Sequence, residues 1–224
     1  MKRIAFISIC FLLTLFAASC EAAVYPPGSG PSDDSGVPSG IEIVHVQSDS
    51  IEFDSLQKVE EYSAGDHSAI VVQAVARKNL GQIVETTYDY EFKKDLPDAG
   101  YTKWEIEVTK VHKGDVKAGD KLVLLLQYYI WTYENGAKQL ITGSSLKPAV
   151  KNKEYLLILI YDEYNKGYWP VCDYEGMFSI PTEDLKRKAK AGTMKQSDDP
   201  DVYDGEHLQY LIPVYKEVVQ KYFS

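Results

Sequence analysis

Few side chains in this sequence have the types and spacing that chemistry needs. His45, His67, His112 and His207 lie far apart. No two of them share metal-ligand spacing, so each reads as an ordinary polar residue. Ser19, Ser144 and Ser145 have no triad context around them. Asp198, Asp199, Asp201 and Asp204, followed by Glu206 and His207, invite a calcium reading. Counted from Asp199, however, the fifth position is Tyr203 and the glycine comes one place late for a calcium loop. A solvated, helix-capping loop is the plainer reading. No GxxxxGK[ST], GxGxxG, HExxH or CxxC motif occurs. The sequence therefore gives no ground for catalysis, a metal or another cofactor.

Aromatic residues are the suggestive set. Tyr128, Tyr129, Trp131 and Tyr133 lead into one hairpin signal, and Tyr161, Tyr164, Tyr168, Trp169 and Tyr174 surround another. From these, Tyr129, Trp131, Tyr133, Tyr168 and Trp169 are candidate ligand-binding rings, suited to a glycan or a peptide. The competing reading makes them core residues and cross-strand pairs, each pair worth about 0.2–1 kcal/mol. Net charge is −9, and becomes −11 without Lys2 and Arg3. Such a chain is repelled by phosphate backbones, which argues against nucleic acid as a partner.

The amino terminus carries a different kind of chemistry. Lys2-Arg3 is a positive n-region, and Ile4 to Phe16 is an apolar run too short to span a bilayer. Ala17-Ala18-Ser19-Cys20 follows. Small residues ahead of a cysteine resemble the lipobox of bacterial lipoproteins, although Ala17 stands where leucine is usual. The resemblance implies removal of residues 1–19 and a diacylglyceryl group on the Cys20 sulfur. Two acyl chains, at about 0.8 kcal/mol per buried methylene, make a stable anchor. An ordinary secretory signal cleaved after Ala22 or Ala23 is the alternative, with Cys20 incidental. Residues 20–40 are dense in Pro, Gly and Ser and read as a flexible tether. Such a spacer suits a body held off a membrane, so the expected location is the extracytoplasmic face of a bacterial cell membrane. Cys10 lies in the signal, which leaves Cys172 without an intramolecular partner. It reads as a small buried hydrophobe.

The folded body must hold these residues in place. The apolar run Tyr155-Leu156-Leu157-Ile158-Leu159-Ile160 predicts a strand buried on both faces. Strands are also predicted over 41–46, 69–76, 101–111, 121–133, 138–142, 168–172 and 176–180. Residues 84–92 read as an extension of a hairpin, and Leu96 to Gly100 as a turn. Asn135-Gly136 signals a type I′ hairpin, and Pro170 demotes its strand to a sheet edge. Apolar residues at 53, 56, 59 and 62 predict a short amphipathic helix. Pro181 to Gly192 predicts a second helix, with Thr182 as its N-cap. Its basic run, Lys186, Arg187, Lys188 and Lys190, could touch anionic lipid, but fits a solvated face better. A third helix, interrupted or restarted at Pro213, is predicted to pack its Leu, Val and Tyr stripe across the barrel.

One pattern along the body is familiar. Val108-x-x-Val111-x-Lys113-Gly114, then Gly119-Asp120, then a polar step into Glu154-Tyr155-Leu156-Leu157, resembles the netrin-like modules, which include the tissue inhibitors of metalloproteinases. It also resembles uncharacterised bacterial lipoproteins with the same patterning. The likeness covers about residues 68–180 and implies an OB-type barrel. Inhibitory chemistry is not implied, because those inhibitors act through a free amino-terminal cysteine and Cys20 would be acylated; a protease-inhibitor-like module stays as a third alternative. The fold class is therefore mainly β with accessory helices (α+β), a small antiparallel OB-like barrel plus two C-terminal helices. The expected division is 1–19 signal, 20–40 tether, 41–180 barrel domain and 181–224 helical extension. The expected role is non-catalytic, either binding or envelope-structural, with the membrane, a cell-wall glycan or an envelope protein as partner.

Overall fold

The computed structural model describes residues 35–46, 53–65, 69–143, 147–172, 176–195 and 208–223. Within them the chain runs β1 (Glu42–His45), α1 (Leu56–Ala64), β2 (Ile70–Asp89), β3 (Lys94–Lys113), β4 (Lys121–Leu126), β5 (Tyr128–Thr132), β6 (Lys138–Thr142), β7 (Glu154–Asp162), β8 (Gly167–Pro170), β9 (Met177–Ser179), α2 (Glu183–Ala191) and α3 (Leu208–Tyr222). The expected signal (1–19), Cys20, the first part of the expected tether (21–34) and the acidic run 196–207 lie outside the described residues.

Five strands form a ring. β2 pairs with β3, β3 with β4, β4 with β8, β8 with β7, and β7 with β2. All contacts are antiparallel except β4–β8, which is parallel. This order is that of a small, partly open OB-type barrel. The β4–β8 seam is its weakest join, a single bridged pair, Leu124 with Tyr168. Val171 donates its N–H to Ile158 of β7, so position 170 faces the opposite side, toward β4. A proline there has no N–H to offer, and the seam cannot lengthen. The demotion predicted for Pro170 thus acts at the seam.

Alternation fills the barrel. Ala74 and Ala76 on β2 pair with Val108 and Ile106 on β3, and these four, with Val72 and Trp104, are all buried. Tyr155, Leu157 and Leu159 of β7 complete that inward layer through their pairing with β2. The other face of β7 is covered too. Leu156 pairs with Phe178 of β9, whose ring stacks on Tyr215 of α3 with centroids 5.8 Å apart. The apolar run at 155–160 therefore lacks alternation because both of its sides are interior.

The helices are clamped by polar contacts. The first N–H of α1, on Leu56, donates to Glu217 of α3 at 2.8 Å, in place of a cap from Ser55. Glu60 accepts from Lys221 at 2.6 Å and from Tyr222 at 2.7 Å. Thr182 caps α2 as predicted, and Gly192 ends it in the left-handed region. Lys186, Arg187 and Lys188 of α2 pair with its own Glu183 and Asp184. Most of the basic run is thus taken up in helix charge balance. Helix α3 continues through Pro213.

Several local expectations change. The run 121–133 is two strands, because the chain leaves the barrel at Gln127. There its carbonyl accepts from Gly143 N and Thr142 Oγ1. Strand β5 then joins β6 and β1 in a separate three-stranded sheet. The turn expected at 96–100 lies instead at 90–93, and Leu96 to Gly100 belong to β3. The side chain of Asp89 fixes that turn by accepting from the N–H groups of Glu91 and Phe92. The Asn135-Gly136 turn is not type I′. Only Gly136 has positive φ, and its N–H reaches Tyr133 while Tyr133 N–H reaches Ala137, the pattern of a type I turn closed by a bulge. Ser35 and Val37, in the last part of the expected tether, are buried against the body.

Candidate functional site

Strand alternation sorts the five candidate rings. On β3, Thr102, Trp104, Ile106 and Val108 point inward, so Tyr101, Lys103 and Glu105 point outward. Gly100 shares the inward side. A Cβ there would lie 2.5 Å from Cδ1 of Tyr129, so Tyr129 packs directly on this glycine and is buried. Trp131 shares its face of β5 by alternation, and Tyr133, just beyond, donates its hydroxyl to Gln139. Tyr168 points inward opposite Leu124 and packs its ring 5.0 Å from Tyr161. Burial is the main reason that the Tyr129 and Tyr168 phenols are held above their ordinary pKa. These rings are largely structural in their setting.

Trp169 differs. It lies on the outer side of β8, half-buried, and meets Tyr101 edge to face at 5.2 Å. Its indole N–H donates to Asp162 Oδ2 at 2.9 Å. Tyr101 donates its hydroxyl to Asn165 Oδ1 at 2.7 Å. Asn165 in turn donates Nδ2 to Asp162 Oδ2 at 2.6 Å. The second carboxylate oxygen of Asp162 accepts the N–H groups of Tyr164 and Asn165. The indole bond, then the Asn165 bonds, hold the Asp162 carboxyl down to about 2. Lys103 Nζ sits 5.6 Å from the Tyr101 ring centroid. Burial, then the Asp162 and Glu85 charges, push the Tyr101 phenol upward.

The result is a rigid ledge at the β7–β8 turn and the outer side of β3. The polar tips of both rings are occupied by Asp162 and Asn165, which fixes the rings while leaving their apolar bodies to a ligand. In OB-type barrels the second and third strands and the loop between the last two carry oligosaccharides or single strands. The ledge occupies that place. Fully exposed Tyr164 stands on the same turn.

The structure thus separates Tyr129 and Trp131 from Trp169 by the thickness of β3. Tyr101, Lys103, Asp162 and Asn165 join the site without having been singled out from sequence. The signal for Asp162 was legible: an Asp three residues before an Asn in a turn favours side-chain bonds to the following N–H groups. Tyr101 carries no such signal, because its partner lies 68 residues on. Among the described residues no three His, Cys, Asp or Glu side chains gather to hold a metal ion, and no helix is long and apolar enough to cross a membrane. No family model, curated protein or solved structure matches the chain.

Proposed function

We propose that this chain is a lipid-anchored, extracytoplasmic binding protein of a bacterial envelope, without catalysis, whose barrel presents the Trp169–Tyr101 ledge to a cell-wall glycan. The observation that carries the binding reading is the immobilised indole of Trp169, held by Asp162 on the barrel surface that OB-type folds use for ligands. A sugar ring stacks its apolar face on an aromatic ring, and a ring already locked in place loses little freedom on binding. Lys103 and the turn at 163–166 supply polar groups at the rim. Net negative charge disfavours nucleic acid at the same surface. The anchor reading rests on Ala17-Ala18-Ser19-Cys20, and the netrin-like resemblance extends only to the barrel.

Sedimentation with purified cell wall tests the ledge. Retention should fall about ten-fold or more in Trp169→Ala and persist in Trp131→Ala, whose residue lies on the separate sheet. Equal retention of wild type and Trp169→Ala, with the fold intact, would remove the glycan reading. Membrane fractionation of wild type against Cys20→Ala tests the anchor. A cleaved Cys20→Ala chain that resists alkaline carbonate extraction from the membrane as fully as wild type would overturn it.

A further inference from the structure

Strand β2 leaves its pairing with β7 at Val75 and β3 begins its pairing with β4 at Thr102, but β2 and β3 stay paired with each other from Ile83–Tyr101 to Asp89–Lys94, a two-stranded arm about 20 Å long. Its end is apolar and outward. Tyr90 is 86% exposed, Phe92 63% and Tyr88 48%. Leu80 and Ile83 are exposed further down the arm. Natural sheets usually blunt such a feature with charge or cover. Here the turn is built to display it. Asp89 Oδ1 accepts from Glu91 N at 2.8 Å and Phe92 N at 2.9 Å, and Lys93 takes the left-handed conformation at φ 55. Tyr88 and Tyr90 brace each other edge to face at 5.2 Å, and Lys94 Nζ lies 6.0 Å from the Phe92 ring.

Area decides between possible occupants. Three rings exposed to this degree offer on the order of 400 Å². A stable protein partner needs about 800 Å² on each side, with matching shape. A convex tip two strands wide falls short of that. A bilayer interface requires no matched shape, and tyrosine and phenylalanine with flanking lysines suit the headgroup region. Charge gives no further attraction: Asp89, Glu91 and Asp95 outnumber Lys93 and Lys94 at the tip. Attraction is therefore apolar.

We infer that the β2–β3 tip inserts Tyr90 and Phe92 into the membrane interface, as a second contact that orients the barrel on its lipid. This rests on the proposed anchoring, which brings the tip within reach of a bilayer. The geometry then fixes one face of the barrel against the membrane, where a tether alone would leave it free to tumble.

The test uses the chain from Cys20 to Ser224 carrying Cys20→Ser, so that no acyl group masks the tip, in flotation with phosphatidylcholine vesicles. The protein should float with the vesicles, and Tyr90→Ser/Phe92→Ser should lower the bound fraction about ten-fold or more. Adding phosphatidylglycerol should leave binding unchanged or weaken it. Circular dichroism and wall retention of the double variant verify its fold. No flotation of the parent protein, or equal flotation of the double variant, would overturn the inference. So would a concentration-dependent dimer abolished by the same two substitutions, since the tip would then meet a second copy. Binding that appears only with phosphatidylglycerol would also overturn it, by pointing to the basic run of α2. Because no acyl group is present, none of these outcomes depends on whether Cys20 is lipidated in the cell.

Discussion

Replacing Asp162 by alanine is the sharpest probe of the ledge. The carboxylate accepts four hydrogen bonds, from Trp169 Nε1, Asn165 Nδ2, Asn165 N and Tyr164 N. Its pKa falls from 3.8 to about 2 on folding. A fall of that size corresponds to about 2 kcal/mol at full strength. Solvent reaches the turn and screens the charge, so about 1 kcal/mol is the reasoned loss for Asp162→Ala at pH 7. The sign follows from the direction. A carboxyl with a depressed folded pKa stabilises above its unfolded value and loses that contribution as pH falls through the folded value. The stabilisation should be whole above about pH 5, about half at pH 3, small at about pH 2 and absent by about pH 1. Urea unfolding of wild type and Asp162→Ala at pH 7, 5 and 3 measures it, with m unchanged between the two chains. The freed indole should also shift the emission of Trp169, and wall retention should drop because the ring no longer has a fixed pose. A difference in stability that is the same at pH 3 as at pH 7, or no difference at pH 7, would refute the account of Asp162.

Two further outcomes probe what places the ledge. Gly100→Ala would set a Cβ 2.5 Å from Tyr129 Cδ1 and 2.9 Å from the Ile83 carbonyl. It should cost about 1–3 kcal/mol by urea midpoint, and an unaltered midpoint would mean that Tyr129 does not seat on β3. Tyr128→Phe removes the acceptor of the buried Trp104 indole N–H, now bonded at 2.8 Å. It should cost about 1–3 kcal/mol in thermal unfolding. The Tyr128 phenol, pushed up to about 12 mainly by burial, should vanish from the late end of a spectrophotometric titration. A variant as stable as wild type would show that the indole finds another acceptor.

The local patterns of the sequence were enough for most elements of the body. Six apolar residues from Tyr155 to Ile160 demanded a strand with two covered faces. Alternation from Trp104 to Val108 specified which side of β3 faces inward. Thr182 and Gly192 bounded α2. Each of these rests on interactions between near neighbours, and near neighbours are what a sequence displays. The proposed amino-terminal signal, which lies outside the described residues, would likewise be a local pattern of charge, apolar run and cysteine.

What depended on distance in the chain was not legible. The break at Gln127 looked like uninterrupted strand, because leaving one sheet for another changes no local preference. Leu96 to Gly100 resembled a turn, yet a bulged ribbon absorbed Pro97 opposite Thr86, and the true turn formed where Asp89 could reach two N–H groups. The five candidate rings looked alike as a cluster along the chain. Only tertiary structure could divide them. Tyr129 and Trp169 fall on opposite sides of β3 because neighbouring residues of a strand point opposite ways, and which side meets solvent is set by closure of the barrel. The ledge itself joins Tyr101 to Trp169 across 68 residues through the β3–β4–β8 arrangement, and no spacing rule within one strand encodes that meeting.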